Sequence, residues 1–255
     1  MYAYGGTPEF VLLGGLLPDL LCSGADRQHV GTTDVDVQVN LEIQGGSENA
    51  PRLERALRES GFAPSGQYVW RWTDNFVTRA VVKIEFLADL DTEPSQATVT
   101  FKNCEALGAM NLRGTGFAAR DWEIRHFLAE TPGGVVTADV RVATLPAFLL
   151  AKAHAAYGRS AEKDWYDIAY VLLHNDQGGP AQAADRVLAV FGDDLVGATA
   201  TALDELQANF SDAIAQGSSA YARQMNANYP ETDVDVLAQD AVAAVEGFVK
   251  LLTLP

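Results

Sequence analysis

Asp34 and Asp36 lie two residues apart in a stretch, 34–41, that alternates strictly between polar and apolar side chains. Val35, Val37, Val39 and Leu41 fall on one side, and Asp34, Asp36, Gln38 and Asn40 on the other, which is the pattern of a half-buried strand. Residues two apart on a strand project from the same face, with about 7 Å between their Cα atoms. Two carboxylates so placed repel unless a cation sits between them. A pair of Mg²⁺ ions, which prefer a few carboxylates plus substrate phosphates, satisfies that geometry. On an exposed face, water satisfies it as well.

Three neighbouring features extend the chemistry. Gly14 and Gly15 follow the apolar strand end Val11, Leu12 and Leu13 and precede a helical pattern, so backbone N–H groups there can approach a phosphate with no side chain in the way. Gly31, Thr32 and Thr33 lead directly into the aspartate pair and offer hydroxyls and a tight turn. Glu85 stands among Val82, Ile84 and Phe86 and faces away from their stripe. It is either an exposed-face residue or a third metal ligand.

The elements that must position these residues divide the chain near 143. Ahead of that point, 51–60 is an amphipathic helix carrying Leu53, Ala56 and Leu57 on one face, with a turn cluster at 45–49 before it. Residues 68–72 and 80–87 are rich in β-branched and aromatic side chains and read as strands antiparallel to the first, within a mixed sheet. Trp70 and Trp72 share a face with Tyr68 and read as core. Glycines and Pro132 break up 88–140, where 135–142 is the one well-bounded strand. Beyond Pro146 the pattern is helical, with helices over 146–157, 161–174 (Ser160 as N-cap), 180–191, 194–216 and 234–252. The predicted fold class is therefore α/β (α+β): residues 1–143 form a mixed sheet with flanking helices, and 144–255 form a helical part.

Charge narrows the partners. The net charge is −16, and acidic against basic residues number 14 to 8 over 1–104, 7 to 7 over 105–165 and 13 to 3 over 166–255. An acidic chain is unsuited to coating nucleic acid in the manner of a basic tail. The balanced middle still leaves room for an anion site built from Arg113, Arg120, Arg125, Lys152, Arg159 and Lys163. Cys22 and Cys104 are too sparse for a disulfide framework or a metal knuckle and read as free thiols. His154 and His174 have no second ligand type at a suitable offset and read as structural or surface histidines. The apolar stretch 10–21 is interrupted by Gly14, Gly15, Pro18 and Asp19 and is not preceded by basic residues, so it does not read as a signal peptide. No apolar run reaches the roughly 18 residues of a membrane span, so a cytoplasmic protein without membrane partners is expected.

Gly14 and Gly15, then Thr33, Asp34 and Asp36, then a carboxylate on a later strand, resemble the polymerase-β-type nucleotidyltransferase pattern. The second half sharpens the likeness: Leu145, Pro146, Leu149 and Lys152, then Arg159, then Lys163, Asp164, Asp167 and Ile168, are similar to the AbiEii and MenT group of nucleotidyltransferase toxins. The resemblance covers about residues 10–175. It implies a nucleotidyltransferase-type sheet domain followed by a helical domain that completes the nucleotide site. Asp34, Asp36 and Glu85 would be the catalytic acids and metal ligands. Gly14, Gly15, Thr33, Lys152, Arg159, Lys163, Asp164 and Asp167 would serve the nucleotide, Lys152 on the triphosphate and an aspartate holding that lysine.

The implied reaction is Mg²⁺-dependent transfer of a nucleoside monophosphate from a nucleoside triphosphate (NTP) to an RNA (tRNA-like) or protein acceptor, with a cognate antitoxin as a further partner. Two other outcomes are a nucleotide- or partner-binding protein of the same fold without turnover, and a transferase acting on a cationic aminoglycoside. Two positions depart from the pattern. Leu16 stands where a hydroxyl residue commonly follows the glycine pair, and His29 occupies the region before the Thr-x-Asp-x-Asp element where the toxins often carry arginine.

Overall fold

The computed structural model describes residues 4–44, 49–74, 81–131, 133–159 and 161–253. The chain folds as two compact units, the first comprising 1–16 and 32–144, the second 17–31 and 145–255. Segment 17–31 thus belongs with the helices that follow 144, a difference from a division at 143.

Among the described residues, unit one holds a mixed sheet of nine strands, in the order β3-β4-β5-β2-β1-β9-β8, with β7 beside β5 and β6 beside β7. The strands are β1 (Val11–Leu13), β2 (Asp34–Gln38), β3 (Phe62–Ser65), β4 (Tyr68–Asp74), β5 (Lys83–Ala88), β6 (Thr98–Thr100), β7 (Gly108–Asn111), β8 (Trp122–Thr131) and β9 (Gly134–Ala143). With the helices of the second unit, this is the α/β (α+β) class that the patterning predicts.

β2 ends at Gln38 rather than at Leu41, because Asn40 turns the chain into a short helix, α2 (Asn40–Gln44), after the one-turn helix α1 (Leu17–Leu21) of the other unit. The Asn40 amide donates to the Asp89 carbonyl at 2.9 Å and its oxygen accepts from the Asp89 N–H at 3.0 Å. A side-chain amide thereby replaces a rung of the ladder, and the backbone is released. β5 runs parallel to β2, not antiparallel. Helix α3 (Asn49–Glu59) carries the chain back so that β3 starts in the direction of β2, and two antiparallel pairings, β3 with β4 and β4 with β5, preserve that direction. α3 begins two residues before Pro51, which sits in its first turn. Positions 45–48 of the expected turn lie outside the described residues.

The apolar side of β2 and its neighbours is covered by α3, where Leu53, Ala56 and Leu57 are buried as their spacing predicts. A cavity of ≈360 Å³ remains there, lined by Leu12, Leu16, Val35, Val37, Leu57 and Phe86 among others. Trp70 and Trp72 are core residues, while Tyr68 is half exposed. The long hairpin of β8 and β9 includes a strand absent from the sequence reading. Helix α4 (Gly116–Arg120) closes the connection before it.

Unit two is helical: α5 (Leu145–Arg159), α6 (Glu162–His174), α7 (Pro180–Phe191), α8 (Ala198–Asn209), α9 (Gln216–Asn228) and α10 (Val234–Leu252), with α1 against α6. The N-cap position of α6 is Ala161; Ser160 lies outside the described residues. The stretch 194–216 is not one helix. A 3₁₀ turn, Gly192–Asp194, precedes α8, and the chain breaks at Phe210 before α9. Phe210 is buried with its ring over Gly217, where a Cβ would stand 2.6 Å from ring atoms. The Ser218 hydroxyl then holds the turn through the Asp212 and Ala215 carbonyls. Among the described residues, no helix is long and apolar enough to cross a membrane.

Candidate functional site

In unit one the parallel register of β2 and β5 sets Asp34 opposite Lys83 and Asp36 opposite Glu85, and the β4 register sets Arg71 opposite Glu85. Paired residues share a face, so all five side chains emerge on one side of the sheet. Gly14 follows the last residue of β1, itself partnered with Asp36, at φ +78°. A Cβ there would meet the Asp36 carboxylate, with Asp36 Cγ only 2.7 Å away. The glycine is therefore what lets the Asp36 carboxyl group lie against the start of the 3₁₀ turn Gly14–Leu16. Leu16 lines the apolar cavity on the other side of the sheet, which accounts for an apolar residue where a hydroxyl is common.

Each carboxylate has a distinct setting. Lys83 Nζ lies 3.3 Å from Asp34 Oδ1 outside hydrogen-bond geometry, so that solvent-shielded oxygen accepts no hydrogen bond. Glu85 accepts from Arg71 Nε at 2.7 Å. The Asp34 N–H donates to Thr32 Oγ1 at 3.1 Å, which shapes the entry to β2, and Thr33 is exposed. Lys83 and Arg71 escaped the sequence reading, although Lys83 is two residues before Glu85 on one strand. Among the described residues, no three His, Cys, Asp or Glu side chains stand close enough to surround one ion. Asp34 and Asp36 nonetheless suit a hard divalent cation that draws its remaining oxygens from substrate and water: their donors are carboxylate oxygens, and one of these is shielded and without a hydrogen bond.

In unit two the sequence-predicted residues meet in a buried charge cluster. Lys152 Nζ donates to Asp164 Oδ1 at 2.9 Å and to Asp167 Oδ2 at 2.6 Å. Arg159 grips Asp164 in a fork, with Nε to Oδ2 at 2.6 Å and Nη2 to Oδ1 at 2.8 Å. His29 Nε2 lies 2.8 Å from Asp167 Oδ1. Lys163 is exposed, with Nζ 3.5 Å from the Gly31 carbonyl, and it lines a cavity of ≈390 Å³ with Gly31, Tyr166, Arg223 and Gln224. His154 and His174 bond Thr199 and Tyr221, in keeping with structural roles.

Charge pairing overrides burial throughout the cluster. Burial opposes the Lys152 ammonium, yet Asp167 and then Asp164 hold its pKa above the ordinary lysine value. Burial likewise opposes both carboxylates. The Arg159 bond and Lys152 outweigh it at Asp164, and Lys152 and the His29 bond outweigh it at Asp167, so both titrate below 3.8. A carboxylate with a depressed folded-state pKa contributes stability that is present above its unfolded value and lost as pH falls through the folded one. The helical unit is therefore expected to lose stability progressively as pH drops below about 3.8, read by acid titration of Trp165, the buried tryptophan of α6. Glu42 in the other unit has the opposite sign, its pKa raised by burial, so its contribution fades as pH rises. A helical unit as stable at pH 3 as at pH 6 would contradict this account.

The sequence matches the family described as nucleotidyl transferase AbiEii toxin, type IV TA system, over residues 3–245. The chain belongs to the AbiEii family. This AbiEii protein is accordingly a nucleotidyltransferase of the toxin type, and the match spans both units, including helices in which no motif was recognised. It also resembles the crystal structure of an antigenic nucleotidyltransferase-like protein from Paracoccidioides brasiliensis at 17% identity and a TM-score of 0.36, over 75% of this chain and 84% of that one. No curated protein matches.

Proposed function

We propose that this AbiEii chain transfers a nucleoside monophosphate from an NTP to a hydroxyl of an RNA or protein acceptor, with Asp34 and Asp36 holding Mg²⁺. The observation that carries this reading is the Asp34 and Asp36 pair on one sheet face, with the Asp36 carboxylate occupying the space where any other residue at Gly14 would place its Cβ. A bound divalent cation supplies neutralisation of charge on the phosphates. In the reaction the acceptor oxygen bonds to the α-phosphorus as the bond to pyrophosphate breaks, and the acceptor proton leaves to base. Glu85, steadied by Arg71, orients the attacking hydroxyl. Lys163 offers an exposed cation to the triphosphate. Lys152, which uses two of its three N–H donors on aspartates, offers a fixed one. Arg159 holds Asp164, and the Gly14–Gly15 backbone approaches phosphate. Most of the rate enhancement then comes from positioning and charge neutralisation. A cytoplasmic location and a cognate antitoxin accord with a toxin of this family.

The test is to incubate the protein with Mg²⁺ and each α-labelled NTP, adding total RNA, the protein itself or an aminoglycoside, and to follow the label. Label should reach RNA or protein, and Asp34→Asn or Asp36→Asn should reduce transfer by about 10²-fold or more with the fold intact. Full activity in both variants would remove the aspartates from the mechanism. Label on the drug would move the acceptor to the cationic class that the carboxylates beyond 166 would suit. Nucleotide binding without any transfer would favour a module that binds without turnover, with Lys83 and Arg71 as internal neutralisers of the acids.

A further inference from the structure

We infer that His29 is a positioning residue that ties the Lys152 cluster to the turn leading into Asp34, an inference that rests on the proposed transferase reading for its functional consequence. The His29 and Asp167 side chains are both fully shielded from solvent. His29 Nδ1 accepts from the Gly31 N–H at 3.0 Å, so the ring proton resides on Nε2 and is donated to Asp167 Oδ1 at 2.8 Å. A single neutral imidazole therefore joins a buried carboxylate of α6 to a backbone amide two residues along its own chain. With His29 neutral, the cationic Lys152 and Arg159 balance the anionic Asp164 and Asp167.

The surrounding bonds show that the whole segment is fastened. The ring stacks on Tyr166 at a centroid distance of 4.9 Å and meets the edge of Tyr170 at 5.0 Å. Tyr170 donates to the Arg27 carbonyl at 2.6 Å, the Gln28 N–H donates to the Tyr229 hydroxyl at 2.7 Å, and the Val30 N–H donates to the Tyr166 hydroxyl at 3.2 Å. Beyond Gly31, at φ +72°, come Thr32, which holds the Asp34 N–H, and then Asp34 itself. Of these bonds, those of His29 alone reach the charge cluster and the turn together. A shift of Asp167 would thus be felt at the amide of Gly31, three residues from a carboxylate proposed to hold the metal. The simpler alternative, a histidine that only fills the core, makes different predictions.

Two half-replacements separate them. His29→Asn keeps an oxygen able to accept from the N–H two residues on, as in an Asx turn, but is too short for Asp167. His29→Gln keeps an amide donor for Asp167 but not the favoured geometry toward Gly31. Because the link and not either bond is what counts, each variant should lower kcat by about tenfold or more while changing KM for the NTP by less than about threefold, the pattern of an interaction that matters in the transition state. A purely structural histidine would lower the melting temperature and leave kcat of the folded protein unchanged, and kcat within about twofold of the parent in both variants would overturn the proposal.

A second readout does not depend on turnover. Amide hydrogen exchange at Gly31 and Asp34 should rise about tenfold or more in Asp167→Asn, with the helices of the second unit still protected. Unchanged exchange there would also overturn the link. If the parent protein transfers no label from any NTP, the transferase reading fails, and the exchange measurement still decides whether His29 couples the cluster to the turn.

Discussion

Lys152→Met is expected to destabilise the helical unit by about 3–5 kcal/mol, the usual cost of removing one partner from a buried ion pair. The methionine fills a similar volume, so the loss comes from the carboxylates left behind. Asp164 keeps the bidentate Arg159, but Asp167 keeps only the neutral His29. Asp167 then becomes an uncompensated buried charge, and its pKa should move from below to above the ordinary aspartate value. Adding Asp167→Asn to Lys152→Met should recover part of the loss, whereas adding Asp164→Asn should not, because that change also strands Arg159. Denaturant unfolding followed at Trp165 measures all three variants. A loss under about 1 kcal/mol for Lys152→Met would mean that the aspartates find other partners and that the lysine is not the keystone of the cluster.

Gly14→Ala should be the most damaging single methyl group in unit one. At φ +78° an L-residue costs about 1–2 kcal/mol before any contact is considered. Here the added Cβ would also stand 2.7 Å from Asp36 Cγ and 2.8 Å from Asp36 Cβ. The strand or the carboxylate must yield, and a displacement of about 1 Å at a proposed metal ligand is enough for roughly a 10²-fold loss of transfer. Gly66→Ala is the control, since Gly66, in the turn between β3 and β4, has a similar φ of +65° but nothing within 4 Å of a Cβ. It should show the conformational cost, about 1–2 kcal/mol by thermal unfolding, without the steric one. Equal transfer by the Gly14→Ala and Gly66→Ala variants would show that the closeness of Gly14 to Asp36 is immaterial.

What could be read from the sequence was local. The period-2 alternation of 34–41 placed both aspartates on one strand face, and helical spacing in 161–174 marked α6, because each signal lies within one element. The direction of β5 was not local. It depends on α3 and on two pairings, and the β-branched residues of 80–87 suit either direction. β8 was hidden because it lies at the sheet edge, where Ile124 and Leu128 are exposed and Glu123, Arg125 and His126 alternate with the apolar residues on both faces, so neither face reads as a core. α9 was missed because Gly217 and the serines beside it resemble loop composition until Phe210 is seen to pack over the glycine. His29 had even less to announce it, since its partner Asp167 is 138 residues away. An isolated histidine near a motif carries no trace of such a bond.

The chain alternates between units: it leaves the sheet unit after Leu16, returns at Thr32 and leaves again after Thr144. That order matters while the protein is being made. Residues 17–31 emerge early in synthesis, yet Asp167, Tyr166, Tyr170, Asp176 and Tyr229, to which they bond, emerge more than a hundred residues later. The first unit can complete its sheet around an excursion that still has nowhere to dock, but the second cannot finish until nearly the whole chain is available. Folding of the Lys152 cluster is therefore a late event of high contact order. A nascent chain that presents Asp34 and Asp36 on a formed sheet would still lack the assembled Lys152 cluster.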